Sequence, residues 1–156
     1  MDESCFFKSK DNKGRRQKQV WGFGLVDRAS GRFFAQVVKR RDEDTLVPII
    51  QKYVHKNTDF VLTDEWKPYQ KLKKLGFNHE SLKHKTHFVR PDDNRIHTQT
   101  IENRWGQIKS LMKKNGKIRR INFETKLKEI VWRIQNKEEI QDKLLNIICR
   151  NNQTIV

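Results

Sequence analysis

Residues 19–38 read QVWGFGLVDRASGRFFAQVV, and this stretch decides the fold that we expect. Its two halves are rich in aromatic and β-branched residues, and the short polar segment Arg28-Ala29-Ser30-Gly31 separates them. This pattern is typical of a β-hairpin. We therefore predict strands over 19–26 and 32–38, preceded by a strand over 4–7 and a basic loop over 8–18.

After the hairpin, helical and strand patterns alternate. Thr45 is a candidate N-cap, which would place Pro48 in the first turn of its helix. The stretch 84–97 is polar and without regular period. The other expected elements are a helix over 44–55, a strand over 60–62 that ends at Thr63-Asp64, a helix over 66–75 closed by Gly76, a strand over 77–82, and three amphipathic helices beyond residue 100.

This order of elements predicts an α/β protein with a ribonuclease-H-like, integrase-type fold. We expect a mixed five-stranded sheet flanked by helices, with extra C-terminal helices. Residues 1–121 would form the catalytic core. Residues 122–156 would form a helical extension that packs on the core or on a partner subunit.

The charge of the chain points to a nucleic-acid partner. Lys and Arg total 34 against 19 Asp and Glu, so the formal net charge is +15, and such a field attracts polyanions. Hydrophobic residues make up 35% of the chain, which favours a packed domain. No apolar run approaches the ~18 residues of a membrane span, and Cys5 and Cys149 lack metal-site spacing. We expect an intracellular protein, nuclear in a eukaryotic host and cytoplasmic in a prokaryotic one.

Three acidic residues fall at positions that this fold would bring together: Asp2 on the first strand, Asp64 after the fourth, and Glu102 in the helix after the polar stretch. A cluster of carboxylates suits two Mg²⁺ or Mn²⁺ ions that serve phosphoryl transfer. Taken singly, each acid has a simpler interpretation. Asp2 could belong to a solvated N-terminus, Asp64 could cap the next helix, and Glu102 could be a surface acid, so only the combination is informative.

The residues around these acids resemble the DDE transposases of bacterial insertion sequences, the ISXO2-like group related to the eukaryotic Merlin elements. The resemblance covers most of residues 2–115. Matching segments surround each acid and the strands between them. They are Asp2-Glu3-Ser4, the basic Gly14-Arg15-Arg16, Trp21-Gly22-Phe23-Gly24, Ser30-Gly31-Arg32, Thr63-Asp64-Glu65-Trp66 with Tyr69, the stretch from His84 to Phe88-Val89, and His97-Thr98-Gln99-Thr100-Ile101-Glu102 with Trp105 and Lys109. Gln99 stands where the family often has Asn.

The resemblance implies metal-dependent cleavage and strand transfer of DNA at transposon ends, carried out by a homodimer. It gives Asp2, Asp64 and Glu102 the role of catalytic metal ligands and Lys109 that of a DNA contact. The charge pattern adds further candidates for phosphate binding. These are Arg15, Arg16, Lys113 and Lys114, next to Lys8, Lys10, Lys13, Lys117, Arg119 and Arg120. His97 either contacts DNA, orients the acidic helix or is structural.

Several alternatives stay open at this point. Family members carry a DNA-recognition region before the first aspartate, whereas Met1 directly precedes Asp2 here. The chain could therefore be an excised catalytic domain, a fragment, or a catalytically silent or domesticated DNA-binding protein. A related ribonuclease or resolvase is a third possibility.

Two further sets of residues have competing interpretations. A zinc site at His79, His84 and His87 is disfavoured by irregular spacing and the lack of nearby Cys. Trp66 and Tyr69 either stack on unpaired bases or pack in the core.

Overall fold

The computed structural model of the chain describes residues 1–7, 19–82, 89–90, 93–97, 99–114, 116, 119–137, 139–140 and 142–144, with the backbone alone at 89–90 and 93–97. These residues form a mixed α/β structure. Its elements are, in order, β1 (Asp2–Cys5), β2 (Trp21–Val26), β3 (Phe33–Val38), α1 (Glu43–Tyr53), β4 (Val61–Asp64), a 3₁₀ turn (Lys67–Gln70), α2 (Lys71–Lys74), β5 (His79–Leu82), β6 (Val89–Arg90), β7 (Asp93–His97), α3 (Gln99–Lys114), a second 3₁₀ turn (Arg120–Asn122) and α4 (Phe123–Gln135).

The first three strands form an antiparallel sheet in the order β1-β2-β3. The predicted hairpin is confirmed, since β2 and β3 pair along their whole length from Val26 opposite Phe33. Gly31 closes the turn with a φ of 70°, a conformation that side chains with a Cβ rarely adopt. Asp27 stabilises the same turn, because its side chain accepts a hydrogen bond of 3.0 Å from the Ala29 N–H.

The remaining strands form two separate pairs, so the prediction of one five-stranded sheet is wrong. β4 pairs in parallel with β5, and β6 pairs antiparallel with β7. Between β1 and β4 the described structure has no ladder of hydrogen bonds. The Met1 nitrogen does donate to the Leu62 carbonyl at 2.7 Å. The expectation of an irregular stretch over 84–97 is also wrong where β6 and β7 form.

The N-cap of helix α1 lies one turn earlier than the sequence pattern suggested. Its N-cap is Asp42, whose Oδ1 accepts a hydrogen bond of 3.0 Å from the Thr45 N–H. Asp is among the preferred N-cap residues and Thr45 takes the N3 position instead. Pro48 consequently lies inside the helix rather than in its first turn.

Two hydrophobic cores lie on opposite faces of the three-stranded sheet. The first contains residues of β2, α1, β4 and α2, among them Phe23, Ile50, Val61 and Leu72. The second lies against α3 and α4 and is built from Phe33, Ala35, Ile101, Trp105, Ile108, Met112, Phe123, Leu127 and Ile130. The two long amphipathic helices are therefore confirmed, with their apolar faces packed on the sheet.

The third predicted amphipathic helix, over 140–148, falls largely outside the described residues. Among the helices that the structure does describe, none has the length and apolar character needed to cross a bilayer.

Candidate active site

Asp2 lies on the face of the sheet that is turned toward α3. In the antiparallel ladder it stands opposite Gly24, and directly opposed residues share a face of the sheet. The buried indole of Trp105 covers that face, since a Cβ placed on Gly24 would lie 2.6 Å from Trp105 Cζ2. Asp2 is therefore on the same side of the sheet as the helix that carries Glu102.

Asp64 is the last residue of β4. Val61 and Thr63 alternate with it and are buried, at 3% and 0% exposure. Because side chains alternate between the faces of a strand, Asp64 points away from the first core, which contains Val61 and Phe23. Asp2 also points away from that core, so the two aspartates project to the same side of the β structure.

The Asp64 side chain makes a local turn rather than a helix cap. Its Oδ1 accepts a hydrogen bond of 3.1 Å from the Trp66 N–H. The 3₁₀ turn that follows has Trp66 at its N-cap and no side-chain cap bond. The simpler interpretation of Asp64 as a helix N-cap is thus wrong.

Asp2 and Asp64 act on the same buried groups. Burial raises the pKa of the Glu3 carboxyl to about 7, and the negative charges of Asp64 and Asp2 add to this rise. Burial and the Glu3 charge raise the pKa of the Tyr69 hydroxyl, and both aspartates again contribute. Both aspartates therefore lie within electrostatic reach of Glu3 and Tyr69.

Glu3 lies behind this pair, on the opposite face of β1, and its side chain is only 3% exposed. Tyr69, itself 1% exposed, donates a hydrogen bond from its hydroxyl to Glu3 Oε1. Arg41 Nη1 lies 3.8 Å from Glu3 Oε2. Both partners lower the Glu3 pKa, although burial outweighs them.

The Arg41 guanidinium is held by two tryptophans. It lies 3.6 Å from the centre of the Trp21 ring and 4.9 Å from that of Trp66, a geometry that favours cation–π attraction. The Trp66 Nε1–H also donates to the Arg41 carbonyl at 3.0 Å. The pattern of residues offered no prediction of this Glu3, Tyr69 and Arg41 group. The only signal was the pair of adjacent acids, Asp2 and Glu3, in one strand. Because neighbouring side chains of a strand point to opposite faces, one of the two must face the core.

Glu102 lies in the first turn of α3 and is half-buried. It precedes the buried Trp105 by three residues, so the two side chains lie on neighbouring positions of the helix surface. Helix α3 packs on both β1 and β2. Nevertheless, no group of three or more His, Cys, Asp or Glu side chains within the described ranges could hold a metal ion. Asp2 and Asp64 thus act on the same buried groups, and Glu102 lies on the facing helix.

Three of the basic candidates lie on α3. Lys109 is exposed and its Nζ lies 5.6 Å from the centre of the Phe6 ring, just after β1. Lys113 and Lys114 are exposed at the end of the same helix. His97 ends β7, where only the backbone is described. Arg15 and Arg16 lie outside the described residues.

The alternative roles of His79, Trp66 and Tyr69 can be judged from their surroundings. His79 is buried, with its Nε2 2.7 Å from Thr63 Oγ1, and burial lowers its pKa. It therefore has a structural partner, while His84 and His87 lie outside the described residues. Tyr69 packs in the core, whereas Trp66 remains 41% exposed.

Comparisons with known proteins agree with the resemblance seen in the sequence. A family model described as the ISXO2-like transposase domain matches residues 6–135. An uncharacterised transposase-like protein of Haemophilus influenzae is 34% identical over 105 residues, which cover 67% of this chain and 82% of that protein.

A solved structure shares the fold. A chain of the simian T-cell lymphotropic virus intasome in complex with PP2A regulatory subunit B56 gamma matches with a TM-score of 0.51 and 17% sequence identity. The match covers 85% of this chain and 46% of that chain. This chain thus spans about half of the solved one, and the likeness concerns the fold alone.

The region matched by the family model begins just after β1 and ends with α4. Asp64, Glu102 and Lys109 lie within it, and Asp2 lies shortly before it. Since this match spans most of the sequence and the Haemophilus influenzae relative is matched over most of its own length, the chain belongs to the ISXO2-like transposase domain family.

Proposed function

We propose that this chain is the catalytic domain of a DDE-type transposase with a ribonuclease-H-like fold, which cleaves DNA at transposon ends and joins those ends to a target. Family membership supports a transposase-type function. The observation that carries the proposal is that Asp2 and Asp64 both point away from the first core, and that Asp2 does so on the face of its sheet that α3 covers.

The proposed metal ligands are Asp2, Asp64 and Glu102, which would hold two Mg²⁺ or Mn²⁺ ions. Carboxylate oxygens are the donors that these hard cations prefer, and two neighbouring like charges favour a cation between them. When bound, such ions polarise the reacting phosphate and activate the attacking oxygen. Asp2 and Asp64 would supply two of the ligands. Glu102 would complete the set from the first turn of α3, a helix that packs on β1.

The basic side chains would hold the DNA beside these acids. Lys109 follows Glu102 by seven residues, or about two helical turns, so both lie on the same side of α3. Lys109 is solvent-exposed, as a phosphate contact requires. Lys113 and Lys114 extend this surface toward the end of the helix. We add His97, Arg15 and Arg16 to the proposed DNA contacts.

The assembly follows from the reaction. Two transposon ends have to be joined, so we propose a homodimer with one active site for each end. We retain residues 1–121 as the catalytic core and 122–156 as the extension, in which α4 contacts β3 and α3. The protein would act where its DNA lies, in the nucleus of a eukaryotic host or the cytoplasm of a prokaryotic one.

The test is the nicking of supercoiled plasmid by the full chain in Mn²⁺ or Mg²⁺. We expect nicked circles from the wild type, and no product with EDTA or after Asp64→Asn or Glu102→Gln. Glu65→Gln is the matched control, because Glu65 is exposed and directly follows Asp64. Nicking that survives both ligand substitutions would refute the proposed site. An RNA–DNA hybrid and a four-way junction, tested alongside, would reveal a ribonuclease or a resolvase.

A second candidate function is a catalytically silent or domesticated transposase-derived protein that only binds DNA. The observation that favours it is that Glu102 does not join the two aspartates in a metal-holding group within the described ranges. It predicts salt-sensitive DNA binding without cleavage in either metal. Asp64→Asn would then leave both properties unchanged.

A further inference from the structure

We propose that Glu3 and Tyr69 form a clamp, supported by Arg41, that positions Asp2 against Asp64. The inference rests on the proposed function, in which both aspartates bind metal. Glu3 and Tyr69 touch neither substrate nor metal in this proposal. They are positioning residues for the two carboxylates.

The clamp joins two strands that lack a ladder between them. β1 and β4 belong to different sheets, so regular strand pairing does not set the distance between Asp2 and Asp64. Glu3 directly follows Asp2, and Tyr69 lies in the 3₁₀ turn just after Asp64. The hydrogen bond from the Tyr69 hydroxyl to Glu3 Oε1 bridges 66 positions of the chain. It connects the strand that carries Asp2 to the 3₁₀ turn that follows Asp64.

Both partners of this hydrogen bond are buried. The Glu3 side chain is 3% exposed and Tyr69 is 1% exposed, so water cannot replace either partner. A buried polar group that loses its partner is left with an uncompensated desolvation cost. Alternation along β1 turns Glu3 away from Asp2. The clamp therefore holds the strand from the face opposite to Asp2.

A second set of contacts connects the same two segments. Asp64 Oδ1 accepts from the Trp66 N–H at 3.1 Å, and the Trp66 ring faces the Arg41 guanidinium at 4.9 Å. Arg41 Nη1 in turn lies 3.8 Å from Glu3 Oε2. Both routes from Asp64 thus end at Glu3, the neighbour of Asp2. This convergence is what distinguishes a clamp from an incidental buried hydrogen bond.

Tyr69→Phe tests the clamp, because it removes only the hydroxyl and leaves the ring in the core. We expect Mn²⁺ affinity, measured by calorimetry on the full chain, to fall about tenfold, as is usual when a group that orients a metal ligand is lost. The rate constant for plasmid nicking should fall by a similar factor, while DNA affinity stays unchanged. Tyr53→Phe is the matched control, since Tyr53 is 47% exposed and the same atom is removed.

Two substitutions at Glu3 give an independent measurement. Glu3→Gln keeps a carbonyl that can accept the Tyr69 hydrogen bond and should retain most Mn²⁺ affinity, whereas Glu3→Leu should lose it as Tyr69→Phe does. If Tyr69→Phe does not fold, the comparison of the two Glu3 variants decides. Equal Mn²⁺ affinity in Glu3→Leu and Glu3→Gln, or in Tyr69→Phe and Tyr53→Phe, would overturn the clamp.

The proposed function fails separately. It fails if the wild type does not nick DNA, or if Asp64→Asn leaves Mn²⁺ affinity unchanged. If the wild type nicks DNA and Asp64→Asn abolishes nicking while Tyr69→Phe changes nothing, the clamp alone is refuted.

Discussion

Gly24→Ala should damage both the stability of this protein and the position of Glu102. A Cβ at residue 24 would lie 2.6 Å from Trp105 Cζ2 and 3.2 Å from Phe33 Cε2. Carbon atoms in favourable contact are about 3.5–4.0 Å apart, so the indole would have to retreat by about 1 Å. Trp105 is 3% exposed and Phe33 is 1% exposed. Neither ring has free space to move into, so the sheet and α3 have to separate.

The size of the effect follows from this displacement. Overpacking of a well-packed core costs about 1–3 kcal/mol, which should lower the free energy of unfolding by that amount. Glu102 lies one turn before Trp105 on the same helix, so it would move with the ring. In the proposed site, a misplacement of about 1 Å reduces the rate about 100-fold. The glycine is therefore expected to matter for metal-dependent nicking as well as for folding.

Urea unfolding and plasmid nicking in Mn²⁺ measure the two effects. Gly106→Ala is the matched control, because Gly106 neighbours Trp105 in α3 but a Cβ there meets nothing within 4 Å. It should raise stability by about 0.5–1 kcal/mol through helix propensity and leave nicking intact. Wild-type stability in Gly24→Ala would refute the packing argument. Reduced stability with full nicking would refute the coupling of Trp105 to Glu102.

Two other predictions concern charge. Burial lowers the His79 pKa, so below about pH 6.5 the unfolded chain binds a proton that the folded chain does not, and stability falls as the pH falls further. His79→Gln should make the urea midpoint less dependent on pH between 7.5 and 5.0; an unchanged dependence would contradict the burial effect. Lys109→Ala should weaken DNA binding and reduce the slope of log K against log salt by about 1, whereas Lys128→Ala, whose Nζ is paired with Glu124 Oε1 at 2.8 Å, should leave the slope unchanged. Equal slopes in the two Lys variants would remove Lys109 from the DNA contacts.

The parts of the fold that local physics determines were predictable from sequence. The hairpin follows from a polar turn between two β-branched runs, and α3 follows from Ile101, Trp105, Ile108 and Met112 at helical spacing, all of which are buried. Strand pairing was less accessible, because an order of strands and helices does not specify which strands exchange hydrogen bonds. The N-cap of α1 could not be predicted for a similar reason. Asp42 and Thr45 both have side chains that can cap a helix, and only the backbone geometry distinguishes them.

The candidate site was also predictable only in part. The motifs around Asp64 and Glu102 can be found in the sequence, and the resemblance to a transposase family suggests a role for them. The buried Glu3 was not recognised, because a pair of acids at the start of a strand reads as solvated charge. Its role depends on Tyr69 and Arg41, which lie 66 and 38 positions away along the chain. A local sequence pattern does not predict contacts between residues so far apart along the chain.

The arrangement around β1 would also let the two aspartates of the proposed site stay close to each other, although β1 and β4 share no ladder of hydrogen bonds. Two carboxylates at one place repel each other, and a flexible strand would relieve that repulsion by moving apart. Here the strand carrying Asp2 is fixed from its other face, by the buried hydrogen bond between Glu3 and Tyr69. In the proposed site, the repulsion would persist until a cation neutralises it. In the proposed site, metal would be bound through the charge that the fold keeps together, and Glu102 from α3 would complete the coordination.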